Sequence, residues 1–479
     1  MKKPLFLIII LALLVRMYGI ATPVADWHSF RQADTASVTR EYVKHGIDLL
    51  RPTYHDHSNI QSGEDNPLGY RMVEFPLVNG LIALLIRAVP VLPLVPVSRF
   101  ISVLFSLGTL ISLYYLTQQL SGKKVALVSV LLFAVLPYGV FYSRTILPEP
   151  AMLFFATFSF TAFFYWLTTK RLSWYILSFT SFAIALLLKP FVLFLAPVYA
   201  GLVAFTAFNE SIRTFTFRHF FVTSLLAAPG FFAALVPMLG WQWWIARFPE
   251  GIPARDWLFN GNLIRFRPAW FRWLFYERIT KLILGYVGSV FLLVNIWPLK
   301  KDLIVYGAWW ASILIYFSVI ASGNVQHDYY QVLALPIISL SVGRGLVLVY
   351  DYLKKRINMH TSLAVVSVIT ATMLFFAWNQ VQGYYNVNHW EYIRAGQAVD
   401  KLTPPDAKVI APAFGDTHFL FQTNRTGWPI GFEIEDKIAK GATHYITTSY
   451  DDEARMLEKQ YQVIKKTDEF ILIDLRSKK

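Results

Sequence analysis

The amino-acid sequence predicts a polytopic α-helical membrane protein that carries a small α/β domain at its C-terminus. Of its 479 residues, 55% are hydrophobic and only 15% are charged, whereas about a quarter of the residues of a typical soluble domain are charged. Apolar runs of about 20 residues, the length that crosses ~30 Å of hydrocarbon, recur along most of the chain. From about residue 380 onward these runs give way to short segments with the pattern of strands.

Eleven apolar runs are interpreted as membrane spans, and the first is interpreted as an uncleaved span because Arg16 interrupts it. The runs occupy about residues 4–21, 98–120, 124–141, 148–168, 172–188, 190–208, 219–246, 279–297, 302–321, 329–350 and 360–378. Every second junction is basic and is therefore placed in the cytoplasm together with the N-terminus. These junctions contain Lys2/Lys3, Lys123/Lys124, Lys170/Arg171, Arg213/Arg218, Lys300/Lys301 and Lys354/Lys355/Arg356. The segments placed on the extracytoplasmic face are 22–97, 142–147, 247–278, 322–328 and everything after 379.

One further apolar run, Phe75–Val89, is expected to lie along the membrane rather than across it. It has 15 residues, Pro76 and Pro90 flank its core, and it contains Arg87. This is shorter than the ~20 residues of a typical span. We therefore interpret it as a juxtamembrane or re-entrant helix on the outer side. If it crosses instead, the number of spans rises to about 12 or 13.

The last part of the chain is predicted to form an extracytoplasmic α/β domain. The segments "AKVIAPAF", "ATHYITTS" and "EFILIDL" have the alternation and composition of short strands. The segment "GFEIEDKIAKG" is typical of a helix that Gly441 closes. The predicted organisation is a transmembrane domain over residues 1–379, with a first outer loop at 22–97, followed by a small domain over 380–479.

Ionisable residues crowd the start of the first outer loop, in "VADWHSFRQADTASVTREYVKHG". Ser29 and Gln32 fit a capping box, which predicts a helix from Phe30 to His45. Gly46 stands where helices commonly end on a glycine.

This helix would present chemistry at the membrane surface. Arg31 and Asp34 lie one turn apart on one face, and Val38 and Tyr42 form a modest apolar stripe toward the membrane. The pattern predicts an interfacial helix with a carboxylate beside a guanidinium. The alternative is an ordinary solvated loop helix with a weak ion pair.

Two more outer junctions place ionisable residues beside spans. In "YSRTILPEPAM", Glu149 stands between two prolines, five residues after Arg144. Glu149 is therefore a candidate site residue. The alternative is that the prolines and the acidic side chain only favour the start of a helix. Lys189, in "LLLKPFVLF", is a cation on the outer side, against the charge rule, and is a functional candidate unless it merely snorkels.

Aromatic and basic residues mark the remaining outer junctions. In "SGNVQHDYYQVLALP", His327 and Tyr330 lead into a span, where aromatics alone would form an interfacial belt. The segment 247–278 interleaves arginines with tryptophans, a composition that suits a lipid phosphate or pyrophosphate. Binding of bulk anionic headgroups is the alternative.

This distribution indicates chemistry on a lipid-borne anionic substrate at the outer surface, with a carboxylate as general base. The formal net charge of +14 does not indicate nucleic acid, because basic residues collect in cytoplasmic loops. The lack of cysteine excludes a disulfide framework and a thiolate nucleophile. No metal-ligand spacing stands out, so no cofactor is assigned, although the acidic first loop is compatible with a divalent metal.

Five segments, in order, resemble bacterial glycosyltransferase family 39, the dolichyl-phosphate-mannose–protein mannosyltransferase-like group that includes the aminoarabinose–lipid A transferases. They are "HSFRQADTASVTREYVKHG", "EFPLVNGLIALL", "FYSRTILPEPAMLFF", "LKPFVLFLAP" and "HDYYQVLALPIISL", within roughly residues 1–350. The resemblance implies a GT-C fold whose first outer loop holds juxtamembrane helices. It also implies a sugar donor carried on a polyprenyl phosphate, and an inverting reaction with a first-loop carboxylate as base.

The resemblance implies a base among the acidic residues of the outer junctions. Many relatives have an Asp-Glu pair in the first loop, and Arg31 begins the equivalent dipeptide here. Asp34, one turn later, is therefore chosen as the base. Asp26, Glu74 and Glu149 are the alternatives, and Glu149 matches the acidic position of a family loop.

The resemblance also implies residues that hold the donor phosphate. Lys189 matches a phosphate-facing lysine. Where aminoarabinose transferases carry a lysine before a Pro-Pro-Leu turn, this chain has Glu74-Phe75-Pro76-Leu77, which makes Glu74 a third carboxylate candidate. The phosphate contact of that lysine is lost or supplied elsewhere. The candidates for phosphate binding are Lys189, Arg31, Arg144, Arg265, Arg267, Arg272, His327 and Tyr330.

The predicted function is transfer of a sugar from a polyprenyl-phosphate donor to a lipid, glycan or protein acceptor on the extracytoplasmic face of a bacterial inner membrane. A lipid-linked sugar flippase or transporter is one alternative. It would require charged residues buried in mid-span, whereas the ionisable groups here cluster at the outer junctions. A non-catalytic membrane scaffold is the other alternative.

Overall fold

Helices form most of the chain, and a small sheet lies near its C-terminus. The computed structural model describes residues 3–209 and 212–479, so Lys2 of the first basic junction lies outside the described residues. The α-helices are α1 (Lys3–Arg16), α2 (Ser29–His45), α3 (Leu77–Ala88), α4 (Leu94–Ser121), α5 (Lys123–Val135), α6 (Pro137–Tyr142), α7 (Glu149–Thr169), α8 (Leu172–Leu188), α9 (Ala196–Ala207), α10 (Phe217–Ile245), α11 (Pro268–Phe271), α12 (Ser289–Val294), α13 (Asp302–Val319), α14 (Ala321–Gln326), α15 (Leu335–Lys354), α16 (Met359–Val381), α17 (Trp390–Leu402), α18 (His418–Gln422), α19 (Ile434–Ala439) and α20 (Asp452–Gln460). The strands are β1 (Lys408–Ile410), β2 (Thr426–Trp428), β3 (His444–Thr447), β4 (Tyr461–Lys466) and β5 (Ile471–Lys478).

The predicted apolar runs coincide with helical segments. Within residues 3–209 and 212–479, 7 segments are long and apolar enough to cross a membrane: Leu94–Ser121, Glu149–Thr169, Pro190–Ala207, Phe217–Ile245, Asp302–Val319, Asp328–Lys354 and Met359–Leu402. The other predicted spans fall on α1, on α5 with α6, on α8, and on residues 272–294. The helices support an integral membrane protein, while the number of spans stays a prediction.

Prolines mark two helix boundaries. Leu136 has an extended backbone (φ −58°, ψ 117°) just before Pro137, where α6 begins. Lys189 has an extended backbone (φ −156°, ψ 112°) just before Pro190, which opens a 3₁₀ segment. A following proline disfavours the helical conformation. The break after α8 therefore sets Lys189 between two helical segments.

The predicted span at 279–297 is not a continuous helix. A π-helical segment, Arg272–Ile283, is followed by a turn and by the short helix α12. Gly285 in that turn has φ +49°, and a Cβ there would collide with the backbone of Met373 in α16. The positive φ and the close approach both require a glycine at this position, where the helix breaks.

The chain divides into two compact units, of which the first is helical. It comprises the chain up to Tyr18 together with 102–241 and 255–383. Small residues let its helices approach closely. Gly201 of α9 lies against Ala308 of α13, and Gly343 of α15 lies against Ser129 of α5. Such contacts are typical of helices packed within a membrane.

The second unit contains the sheet and comprises 19–101, 242–254 and 384–479. The strand order is β2-β1-β3-β5-β4, with β1 parallel to β2 and β3, and β5 antiparallel to β3 and β4. The first outer loop adds to this sheet beside β2. The His57 amide donates to the Gly427 carbonyl (2.7 Å), and the Gly427 amide donates to the His55 carbonyl (2.8 Å).

Most local predictions in the second unit are confirmed. The predicted strands contain β1 and β3 and overlap β5, and α19 forms in the predicted helical segment, with Gly441 at φ +99° after it. Helix α3 has 12 residues and is thus ~18 Å long, less than the ~30 Å of a hydrocarbon core. This length agrees with the interpretation of Phe75–Val89 as a juxtamembrane helix.

Helix α2 is confirmed, but its predicted capping is wrong. Gly46, with φ +104°, follows its last residue as predicted. Ser29 is already helical, and His28 precedes the helix without a side-chain cap. The Gln32 side chain donates to Asp26 Oδ1 (2.8 Å) instead of returning to the Ser29 amide. A tertiary partner has therefore replaced the local one.

The apolar stripe of α2 packs on protein. Val38 and Tyr42 are buried together with Tyr54 of the first outer loop and Ala83 of α3. The expectation that this stripe faces the membrane is therefore wrong. Helix α2 is enclosed by its own unit, even though most of its side chains are polar.

Candidate active site

Helix α2 carries buried charges that require partners. Its buried residues are Arg31, Gln32, Ala33, Asp34, Ala36, Ser37, Val38, Thr39, Arg40, Glu41 and Tyr42. An ionised side chain removed from water is costly unless an opposite charge and hydrogen bonds compensate it. The second unit supplies such partners to each first-loop carboxylate that the sequence singled out.

Asp34 is buried and fully engaged. Its Oδ2 lies 3.0 Å from Nη2 of Arg71 and accepts from Nε2 of Gln61 at 3.1 Å. Its Oδ1 accepts from the hydroxyl of Thr417 at 2.7 Å. Only 1% of the Asp34 side chain is exposed. Both oxygens of the carboxylate chosen from the sequence are therefore occupied by protein donors.

Glu74 is the most exposed of the four candidate carboxylates, with 16% of its side chain accessible. It forms an ion pair with Arg31, whose guanidinium Nη2 contacts Glu74 Oε1. Arg31 and Asp34, which the sequence placed side by side on one helix face, therefore pair with different residues. Arg31 binds Glu74, and Asp34 binds Arg71.

Asp26 lies in a closed ion pair. Its Oδ2 is 3.1 Å from Nη2 of Arg99, and both side chains are 0% exposed. Its Oδ1 accepts from Gln32 at 2.8 Å. Arg99 also donates to the carbonyl of Gly19 at 3.0 Å. These contacts tie the start of the first outer loop to α4.

Three buried titratable residues of the same unit were missed by sequence reasoning. Asp56 accepts from the Ser58 amide at 2.8 Å, and burial raises its pKa to about 7. Burial lowers the pKa of His55 to about 3 and that of His57 to about 4. The high density of ionisable residues in "YHDHS" could have indicated them, but the low hydropathy of this segment is typical of an ordinary loop.

The first unit brings two other predicted residues together. Lys189 Nζ lies 2.9 Å from Glu149 Oε1, and both side chains are almost buried. The ammonium also lies 5.5 Å from the ring centroid of Tyr330 and 5.8 Å from that of Tyr329. The faces of aromatic rings stabilise an ammonium without using its N–H hydrogen-bond donors. This is a suitable arrangement for a cation that meets a phosphate.

Residues around Asp328 form a second polar cluster in this unit. Asp328 accepts from the hydroxyl of Tyr142 at 2.6 Å and lies 3.8 Å from Nη1 of Arg278. The predicted residue His327 stacks on Tyr329, with ring centroids 5.4 Å apart. Arg144 is fully buried and lies over the ring of Phe141. Arg278 belongs to the basic segment noted in the sequence.

The other predicted arginines are dispersed. Arg265 donates to the carbonyl of Ser318 at 3.0 Å. Arg272 pairs with Glu277 at 3.5 Å and is 73% exposed, and Arg267 is exposed. Their contacts within residues 3–209 and 212–479 lie with their own segment and with α13, and none reaches Lys189. No group of three histidine or acidic side chains in those ranges is arranged to hold a metal ion.

Comparison with known proteins relates this fold to the GT-C glycosyltransferases. A family model described as dolichyl-phosphate-mannose-protein mannosyltransferase matches residues 80–241. No curated protein matches the chain by sequence. The matched residues include Glu149 and Lys189.

Solved structures of this class resemble the chain along its length. ArnT from Cupriavidus metallidurans bound to undecaprenyl phosphate has 13% identity and a TM-score of 0.63, over 98% of this chain and 97% of that chain. The apo state of the same protein gives 12% identity and a TM-score of 0.62 over the same shares. The archaeal oligosaccharyltransferase AglB from Archaeoglobus fulgidus, in complex with an inhibitory peptide and a dolichol-phosphate, gives 10% and 0.55, over 98% of this chain and 74% of that chain.

The chain therefore has an ArnT-like GT-C fold, and the resemblance predicted from five sequence segments is confirmed at the level of this superfamily. The family model over residues 80–241 supports a glycosyltransferase.

Proposed function

We propose that the chain transfers a sugar from a polyprenyl-phosphate donor to an acceptor hydroxyl at the extracytoplasmic face of a bacterial inner membrane. The observation that carries the proposal is fold similarity over 98% of the chain to ArnT bound to undecaprenyl phosphate. The acceptor is a lipid, a glycan or a protein. The buried carboxylate–cation pairs support the same chemistry, because such groups are the parts that acid–base and phosphate chemistry require.

The proposed topology follows the charge distribution. The N-terminus lies in the cytoplasm, and the first outer loop at 22–97 and the domain at 380–479 lie outside. Residues 1–379 form the transferase domain. Bonds between the first outer loop and β2 support placement of both on the same side of the membrane.

Glu74 is the general base in this proposal. A base has to reach the acceptor hydroxyl, and Glu74 keeps 16% of its side chain exposed where Asp34 keeps 1%. Glu74 takes the hydroxyl proton while the acceptor oxygen attacks the anomeric carbon. The lipid phosphate leaves with the bonding electrons, and the anomeric configuration inverts. Asp34, Asp26 and Glu149 remain the alternatives for this role.

Lys189 is proposed to stabilise the leaving phosphate. Its ammonium is held by Glu149 and by two tyrosine rings in a largely buried position. An ammonium in such surroundings interacts with a phosphate more strongly than it would in water. The other candidates for phosphate contact are Arg31, Arg144, Arg265, Arg267, Arg272, His327 and Tyr330.

The test is incubation of the purified protein with a panel of polyprenyl-phosphate sugars, scoring which donor is consumed with and without a chelator. Replacing Glu74 by glutamine should lower kcat by about 10²–10⁴-fold with unchanged donor binding. Glu64→Gln is the matched control, because Glu64 is an exposed acidic residue of the same loop.

Each outcome decides between named alternatives. Normal turnover by the Glu74→Gln variant together with loss in Asp34→Asn would assign the base to Asp34. Movement of labelled donor across vesicles without sugar transfer would support a flippase. Failure to consume any donor would contradict the proposed function.

A further inference from the structure

The C-terminal part of the second unit binds directly to helix α2. Arg40 of α2 donates to the carbonyl of Phe421 at 2.8 Å, and its guanidinium lies 4.6 Å from the centre of that ring. Lys44 donates to the carbonyl of Asn424 at 2.9 Å. Gln422 also donates to the carbonyl of Val24, in the segment that precedes α2, at 2.8 Å. The segment 417–424 is thus bonded along α2 at several points.

The hydroxyl of Thr417 does not cap its own helix. Thr417 is the residue before α18, where threonine commonly accepts a hydrogen bond from its own helix. Here the hydroxyl makes no such cap and donates to Asp34 at 2.7 Å. Asp416 takes over the capping, since its Oδ1 accepts from the His418 amide at 2.9 Å. Thr417 is 1% exposed, so solvent does not compete for its hydroxyl.

Asp34 connects Thr417 to the loop that carries Glu74. The other oxygen of Asp34 holds Arg71 at 3.0 Å, and Arg71 stands three residues before Glu74 in the sequence. One turn before Asp34 on α2, Arg31 holds Glu74 itself. The loop 71–74 is therefore fixed at both ends by α2, and Asp34 is in turn fixed by Thr417.

We propose that Thr417 is a positioning residue for sugar transfer, acting through Asp34 and Arg71 to fix the carboxylate of Glu74. The inference rests on the proposed function for the role of Glu74. It makes the C-terminal domain a working part of the transferase, because this hydrogen bond exists only when that domain is docked on α2. The contact joins residues that lie 383 positions apart.

The test compares three variants. Thr417→Val removes the hydroxyl and keeps the β-branched shape, and Thr417→Ser keeps the hydroxyl. Thr423→Val is the matched control, because Thr423 is 0% exposed in the same segment and its hydroxyl donates locally to Leu420 at 2.7 Å. All three are purified as the full chain and assayed for kcat, donor KM and thermal unfolding.

The expected result is a kcat of Thr417→Val lower by about ten- to a hundredfold, the factor that corresponds to the free energy of a hydrogen bond to a charged group, with unchanged donor KM. Thr417→Ser should recover to within about twofold of wild type, and Thr423→Val should keep its kcat. Equal kcat for Thr417→Val and Thr423→Val, or no recovery in Thr417→Ser, would overturn the proposal.

Hydrogen exchange provides a readout that does not depend on transfer. The Arg71 amide donates to Pro52 and the Met72 amide to Gly251, each at 2.8 Å. Both amides should exchange faster in Thr417→Val than in Thr423→Val. If wild type consumes no donor, the proposed function fails, and this comparison still decides whether Thr417 fixes the loop. Unchanged exchange at both amides would refute that role.

Discussion

Replacing Asp26 by asparagine removes a buried charge while leaving the size of the side chain nearly unchanged. Asp26 and Arg99 are both 0% exposed, with 3.1 Å between Oδ2 and Nη2. Removing one member of a buried ion pair costs about 3–5 kcal/mol, because the other charge stays buried without its counter-charge. Arg99 keeps its bond to the Gly19 carbonyl, so we expect a loss near the lower end, ~3 kcal/mol.

The assay is denaturant unfolding in detergent, followed by tryptophan fluorescence. Trp27, next to Asp26, stacks on Tyr384 with ring centroids 4.9 Å apart and reports on this region. A double-mutant cycle with Arg99→Leu should give a coupling energy of about 2 kcal/mol or more. The exposed pair Lys466–Glu458 is the control, and Glu458→Gln should cost under ~1 kcal/mol.

The same variant separates a structural role of Asp26 from a catalytic one. If Asp26 serves the fold, Asp26→Asn should lower the free energy of unfolding and leave the kcat of the folded protein unchanged. A variant that lost less than ~1 kcal/mol and yet lost transfer would refute the reasoning and make Asp26 a candidate base.

Three further predictions concern donor binding, pH and the sheet. Lys189→Met should weaken binding of undecaprenyl phosphate by about tenfold or more, because it removes a charge-assisted contact to phosphate, as measured by titration calorimetry. Burial lowers the pKa of His57 from 6.5 to about 4, so its stabilising contribution is present above pH 6.5 and is lost as pH falls toward 4. His57→Gln should therefore flatten the dependence of Tm on pH in that window. Gly427→Ala should prevent correct folding, because Gly427 has φ +152° and a Cβ there would strike the backbone of Val409, whereas Gly441→Ala should cost only about 1–2 kcal/mol. Yields of folded protein by size-exclusion chromatography compare the two, and an equal loss from both would contradict this account.

The apolar helices and three of the five strands were predictable because their patterns are local. Apolar runs long enough to span a membrane, and the alternating apolar and polar residues of strands within 380–479, are visible in short windows of sequence. The glycine after α2 and the proline after Lys189 mark ends that need no tertiary information. The break at Gly285 was not predictable, since it depends on a close approach to Met373 from a distant helix.

The partners of the site residues could not be predicted from such windows. The residue types and positions of Asp34, Glu149 and Lys189 pointed to chemistry, but their ion pairs join residues 37 and 40 positions apart in sequence. A single sequence carries no signal for which cation meets which carboxylate. The failed capping box shows the same limit, because a buried Asp26 outcompetes the local amide for Gln32.

The bond between Asp34 and Thr417 has a consequence for biosynthesis. The two residues are 383 positions apart, and a ribosome that adds about 5–20 residues per second needs roughly 20–80 s to cover that distance. Throughout this interval α2 has emerged but the segment that binds it has not been made. A message truncated after Val381 would encode every predicted span and still leave the first outer loop unfinished. Translation of the final segment is thus the step that completes a structure begun near the N-terminus.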